Sequence, residues 1–117
     1  MEMRVPPPDL DTVIAQRLNL HELGDQLQEL CRRCRVKRLD LFGSAVTGRF
    51  ESGRSDLDVL VEFEAMAPAD YAKAYFDLRE GLIGLFDRPI DLLTPAGLKN
   101  PYLRNRVESE RRLIYAA

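Results

Sequence analysis

Asp56 and Asp58 are separated by a single residue in the run Ser55-Asp-Leu-Asp-Val-Leu-Val61. Leu57, Val59, Val61 and Phe63 recur at every second position, the period of a strand with one buried face. The aspartates alternate with them, so both carboxylates leave the opposite face at one end of that strand. Charges placed like this at ~4 Å repel by about 4 kcal/mol at an effective dielectric near 20. A cation removes that penalty, and Mg²⁺ favours one or two carboxylates completed by substrate phosphate oxygens. A lone Asp-x-Asp is a common pattern. On its own it reads as a solvated strand end answered by Arg49, Arg54 or Arg88. The neighbouring residues favour the metal.

Upstream, Gly43-Ser44 closes an apolar run. Glycine lets the backbone approach a phosphate closely, and a serine at a helix start adds its hydroxyl to the free N–H groups there. Downstream, Asp91 lies in Pro89-Ile-Asp-Leu-Leu93, an acid flanked by apolar residues as in the second strand. If the two strands are neighbours, Asp91 faces Asp58 across the sheet. Three carboxylates suit two-metal phosphoryl transfer, in which shared ligands bridge ions about 3.5–4 Å apart and a third holds the ion that activates the attacking hydroxyl. Asp91 is also placed to take the proton of that hydroxyl. The segment Gly43-Ser-Ala-Val-Thr-Gly48-Arg49-Phe50 comes near a P-loop pattern. It fails at both chemical positions, because Arg49 stands for the phosphate lysine and Phe50 for the metal-binding hydroxyl.

The elements that must hold these residues follow from periodicity and turn chemistry. Residues 1–8 form a Pro-rich lead, expected to be extended or loose. From about Leu10, the positions Val13, Ile14, Leu18, Leu20, Leu23, Leu27, Leu30 and Cys31 approximate helical spacing. Asp9 or Asp11 offers an N-cap, and Gly24 is a candidate break into two helices. Val36 to Phe42 reads as the first strand, followed by a short turn and helix from Gly43-Ser44 to Gly48 and a polar loop over 49–55. Leu57 to Phe63 is the second strand. Pro68 suits the first position of a helix running to about Leu85 or Phe86, with Tyr71, Ala74, Tyr75, Leu78 and Leu82 on its apolar side. Ile90 to Thr94 is the third strand, ended by Pro95. The last helix runs from about Pro101 to Glu110, and a short apolar end, Leu113-Ile114-Tyr115, follows. The order αβαβαβα predicts one α/β domain over residues 1–117 with a small central sheet.

With 117 residues, 45% of them apolar and 31% charged, the chain fits one soluble domain with a real core. No apolar run approaches the ~18 residues of a membrane span. The N-terminus lacks the apolar region of a signal peptide, so a cytoplasmic location is expected. A net charge of −2 excludes a generally basic nucleic-acid binder. Arg32, Arg33, Arg35, Lys37 and Arg38 crowd the start of the first strand without interleaved aromatics. They read as a solvated helix end, and direct nucleic-acid binding is not expected. Cys31 and Cys34 form a C-x-x-C that ends a helical pattern rather than opening a helix. With His21 the only histidine and no partner at useful spacing, two free thiols are the better reading. Tyr71, Tyr75 and Phe76 are expected as core and edge packing, with a partner surface second.

The joined motifs Leu-Phe-Gly43-Ser44, Ser55-Asp56-Leu-Asp58-Val-Leu-Val-Glu-Phe63 and Ile-Asp91-Leu-Leu resemble the DNA polymerase β nucleotidyltransferase superfamily. More narrowly the chain is similar to its smallest branch, the minimal nucleotidyltransferases (MNT, or MntA-like). The resemblance covers nearly the whole length, including the end from Leu98 to Tyr115. It implies a small mixed central sheet with flanking helices. It makes Asp56 and Asp58 the shared ligands of two Mg²⁺ ions and Asp91 the third ligand and base. Gly43 and Ser44 become the grip on the ATP triphosphate. Relatives often carry an arginine before the next glycine, where this chain has Ala45-Val46-Thr47; Arg49 or Arg54 is then the candidate basic contact. Members of the branch commonly pair with a HEPN-domain RNase toxin and act as its antitoxin, in characterised cases by moving AMP from ATP to a toxin tyrosine. Two other functions stand beside that one: an antitoxin that neutralises by binding alone, and a nucleotidyltransferase acting on a small molecule. The chain is short for the latter, because no further domain is left to form a substrate pocket.

Overall fold

The structure is a computed structural model and describes residues 18–47 and 56–117. The expected lead and N-caps, Gly48, the polar loop, Arg49 and Arg54 lie outside the described residues. Four strands are formed: β1 (Val36–Phe42), β2 (Leu57–Phe63), β3 (Ile90–Leu93) and β4 (Arg112–Ala116). The helices are α1 (Leu20–Arg33), α2 (Ser44–Thr47), α3 (Pro68–Phe86) and α4 (Pro101–Glu110), with a 3₁₀ turn at Pro95–Gly97. The sheet order is β3-β2-β1-β4. β1 runs antiparallel to both β2 and β4, while β2 and β3 are parallel, so the sheet is mixed. A parallel pair needs a crossover connection, and α3 supplies it.

Alternation divides each strand between two faces. Leu39, Leu41, Leu57, Val59, Val61, Ile90 and Leu92 are buried on one face, in a core with Leu27, Leu30 and Cys31 of α1 and Leu78, Leu82 and Phe86 of α3. On the other face Phe42 and Leu60 pack with Leu98 and Val107, bringing α4 against the sheet. Asp40, Asp58 and Asp91 share this second face by their position in the strands. Tyr75 of α3 donates its hydroxyl to the Leu92 carbonyl at 2.6 Å and so fastens the crossover helix to β3.

Two expectations are corrected. Gly24 does not divide the first helix: α1 runs through it without interruption. A helical glycine costs about 1 kcal/mol, whereas each large apolar side chain buried on α1 returns about 1.5–3 kcal/mol, and Leu20, Leu27 and Leu30 are all buried. The apolar end at Leu113-Ile114-Tyr115 is a fourth strand, with Leu39 opposite Tyr115 and Leu41 opposite Arg112. The order of elements is therefore αβαβαβαβ among the described residues. Two aromatics also depart from the packing expected for them: Phe76 is 61% exposed, and Tyr71 is 36% exposed with its ring edge on Phe63. Cys31 and Cys34 are free and buried. Burial and the neighbouring Cys34 push the Cys31 thiol up to about 12, which makes it unreactive. No helix of the described residues is long and apolar enough to cross a membrane.

Candidate active site

β1 ends at Phe42 and the chain turns at Gly43, with φ +74°, before α2 begins at Ser44. Gly43 is required there twice over. The left-handed backbone strains any other residue, and a β-carbon at this position would overlap Asp58 Oδ2. The turn is held by the Val46 N–H donating to the Gly43 carbonyl at 3.0 Å. The Gly43 N–H points elsewhere, to Glu110 Oε1 of α4 at 3.0 Å.

The strands carrying the acids are neighbours, and the parallel register sets Asp58 directly opposite Asp91. Asp58 is half-buried on β2, Asp91 is exposed on β3, and Asp56 is exposed just before β2. Burial, then the charge of Asp91 and a hydrogen bond with it, push the Asp58 carboxyl up to about 6; Arg106 opposes this and Asp56 adds a weaker push. The structure thus brings Asp58 and Asp91 into contact and leaves Asp56 at a longer electrostatic range. Among the described residues no group of three or more His, Cys, Asp or Glu side chains is gathered as a metal site. The donor set still suits a hard cation: two carboxylates face each other across neighbouring strands, and a divalent ion would relieve their repulsion. Ser44 is half-buried at the first position of α2.

Residues 23–114 match the Nucleotidyltransferase domain family. The chain belongs to that family. The nucleotidyltransferase is 35% identical over 100 residues to a Methanocaldococcus jannaschii protein named "Putative protein adenylyltransferase MJ0128", covering 82% of this chain and 96% of the relative. Its fold is similar to a solved structure described as a "putative minimal nucleotidyltransferase", with TM-score 0.54 and 30% identity over 90% of this chain and 97% of the other. It is also similar to a structure of tri-AMPylated Shewanella oneidensis HEPN toxin in complex with MNT antitoxin, with TM-score 0.51 and 18% identity over 80% of this chain and 69% of that one. At that identity the likeness concerns the fold.

Several residues around the site carry no signal in the sequence. Asp40 of β1 is fully buried and receives Nε and a terminal nitrogen of Arg38 at 2.8 and 3.0 Å, and Nε of Arg111 at 2.7 Å. Burial pushes its carboxyl up, but the hydrogen bonds from Arg38 and Arg111 outweigh that and hold it below the usual range. Arg111 is the C-cap of α4, so this pair fixes the end of α4 and the start of β4 on β1. Asp40 sits inside an apolar run and the second of its partners, Arg111, is 71 positions away. Glu110 is equally remote, 67 positions from Gly43. Only the folded sheet brings them together.

Proposed function

We propose that the nucleotidyltransferase transfers AMP from ATP to a hydroxyl of a partner protein, a tyrosine of a HEPN-domain RNase toxin, and so acts as that toxin's antitoxin. The observation that carries the reading is the register of Asp58 against Asp91 beside the Gly43 turn. Facing acids next to a backbone turn that opens a helix are what a phosphate with its counter-ion requires. The name of the M. jannaschii relative and the AMPylated toxin in the Shewanella complex support the choice of donor and partner.

In this reading Asp56, Asp58 and Asp91 hold Mg²⁺, which when bound neutralises triphosphate charge and polarises the reacting phosphoryl group. Gly43, Ser44 and Arg49 hold the phosphates. The acceptor hydroxyl oxygen attacks the α-phosphorus, the bond to the β-phosphate oxygen breaks, and pyrophosphate leaves. Asp91, exposed at the sheet edge, receives the hydroxyl proton. Asp91 is exposed on the edge strand β3, and a partner docked there would position the hydroxyl. Positioning of this kind supplies several kcal/mol of a barrier.

Intact-mass analysis of the partner after incubation with ATP and Mg²⁺ tests the proposal. Added AMP units that vanish with Asp58→Ala are expected. A tight complex without a mass shift would show neutralisation by binding alone. AMP on a small molecule, with the partner unchanged, would overturn the protein acceptor.

A further inference from the structure

A triphosphate laid on the Gly43-Ser44 turn brings more negative charge than backbone amides answer, and Ala45, Val46 and Thr47 contribute no cation. Helix α4 lies on the same face of the sheet, and its arginines are not equivalent. Arg104 donates Nε and a terminal nitrogen to the Leu98 carbonyl at 3.1 and 2.8 Å. Arg111 is committed to buried Asp40 and to Glu108. Arg106 is 59% exposed and, among the described residues, makes one long ionic contact, 3.6 Å from Nε to Glu110 Oε2. That separation is beyond a good hydrogen bond. The same Glu110 carboxylate accepts the Gly43 N–H through its other oxygen, and Gly43 lies against Asp58. One carboxylate therefore tethers an uncommitted guanidinium to the turn that opens α2. The charge of Arg106 is also felt at Asp58.

We infer that Arg106 binds the β- and γ-phosphates of the nucleotide, and that these phosphates displace Glu110 from it. The inference rests on the proposed nucleotide site and adds to Arg49 a second cation, from α4, far from the motif in sequence. A guanidinium presents a planar fork of donors that phosphate oxygens satisfy in pairs, which the long contact to Glu110 does not do. Glu110 is an anionic placeholder: it holds Arg106 near the turn while the site is empty, and its charge opposes the incoming triphosphate. The α-phosphate, held at the carboxylates, is not the group Arg106 reaches for. The contribution of Arg106 should therefore depend on the number of phosphates in the ligand.

Calorimetric titration with α,β-methylene ATP and with AMP, each in Mg²⁺ buffer, tests this on the intact chain. Arg106→Gln should weaken the triphosphate analogue about tenfold, or about 1.4 kcal/mol, and leave AMP affinity unchanged within experimental error. Arg106→Lys should recover part of the loss. Glu110→Gln keeps an acceptor for the Gly43 N–H but removes the competing charge, and should tighten analogue binding about threefold, the scale of a surface ion pair. Retained AMP binding shows that Arg106→Gln is folded. Unchanged analogue affinity in Arg106→Gln, an equal loss for both ligands, or weaker analogue binding in Glu110→Gln would each overturn the inference and leave the nucleotide site standing. A wild-type chain that bound neither ligand would overturn the nucleotide site itself, and this inference with it.

Discussion

The α-carbon of Gly43 lies against the carboxylate of Asp58, so closely that any side chain at position 43 would overlap Asp58 Oδ2. The turn from β1 into α2 and the acid of β2 are thus one packed unit. The proposed phosphate grip and the proposed metal ligand therefore cannot move independently.

Gly43→Ala should therefore damage chemistry more than folding. The left-handed φ costs a non-glycine residue about 1–2 kcal/mol, and the Asp58 carboxylate must turn away from Asp91. Thermal melting should show a modest loss of stability. Mass analysis of the partner should show transfer abolished, and normal transfer would sink the proposed role of the turn.

Asp58 should destabilise the fold at neutral pH. Its folded pKa of about 6 lies above the ordinary 3.8, so the folded state favours the protonated form. Its favourable contribution is complete below about pH 3.8 and is lost as pH rises through 6. Without divalent ions, Asp58→Asn should be more stable than wild type at pH 7.5 by about 1–2 kcal/mol, allowing for the partial exposure of the site. Melting curves across pH should show that gain fading towards pH 4. A pH-independent difference would contradict it.

The buried Asp40 should be far more sensitive than exposed ion pairs. Arg111→Met removes its 2.7 Å partner and leaves a buried charge held by Arg38 alone. The cost should be about 3 kcal/mol. By contrast Arg35→Met, which loses a half-exposed pair with Glu64 at 3.5 Å, should cost less than about 1 kcal/mol. Urea unfolding of both variants makes the comparison. Equal midpoints would refute the network's role in holding α4 and β4 to β1.

Glu110 should matter to stability through its oxygen rather than its charge. Glu110→Ala leaves the part-buried Gly43 N–H without its acceptor, at a cost of about 1–3 kcal/mol. Glu110→Gln keeps the acceptor and should remain near wild type in the same urea measurement. If the two variants unfolded alike, the hydrogen bond would not be what holds the turn.

What the sequence made legible was local. β1, β2 and α4 have the bounds their patterns predict, and α3 starts at Pro68 as expected. There the alternation, the helix-opening prolines and the polar stretches agree with one another. β4 was not legible. It follows α4 after the single residue Arg111, with no turn signal, and its residues Arg112–Tyr115 are all half-buried, so no alternation marks a face. Gly24 looked like a break because its propensity is local, while the burial that overrides it is tertiary. The pairing of Asp58 with Asp91 was foreseeable as a condition on neighbouring strands, and the register meets that condition. Glu110 and Asp40 carried no signal, because the contacts that tie them to Gly43 and Arg111 form only when α4 returns to the sheet.

The alternation that buries Ile90 and Leu92 is the same alternation that turns Asp91 toward Asp58. A one-residue slip of β3 along β2 would carry Asp91 to the face beneath α1 and α3, and would expose both apolar side chains in the same step. A misassembled site and a ruined core are therefore one defect. Molecules with the acids out of line would fall to unfolding and proteolysis instead of persisting as inert look-alikes. Parity along a four-residue strand makes thermodynamic stability the inspector of the proposed site.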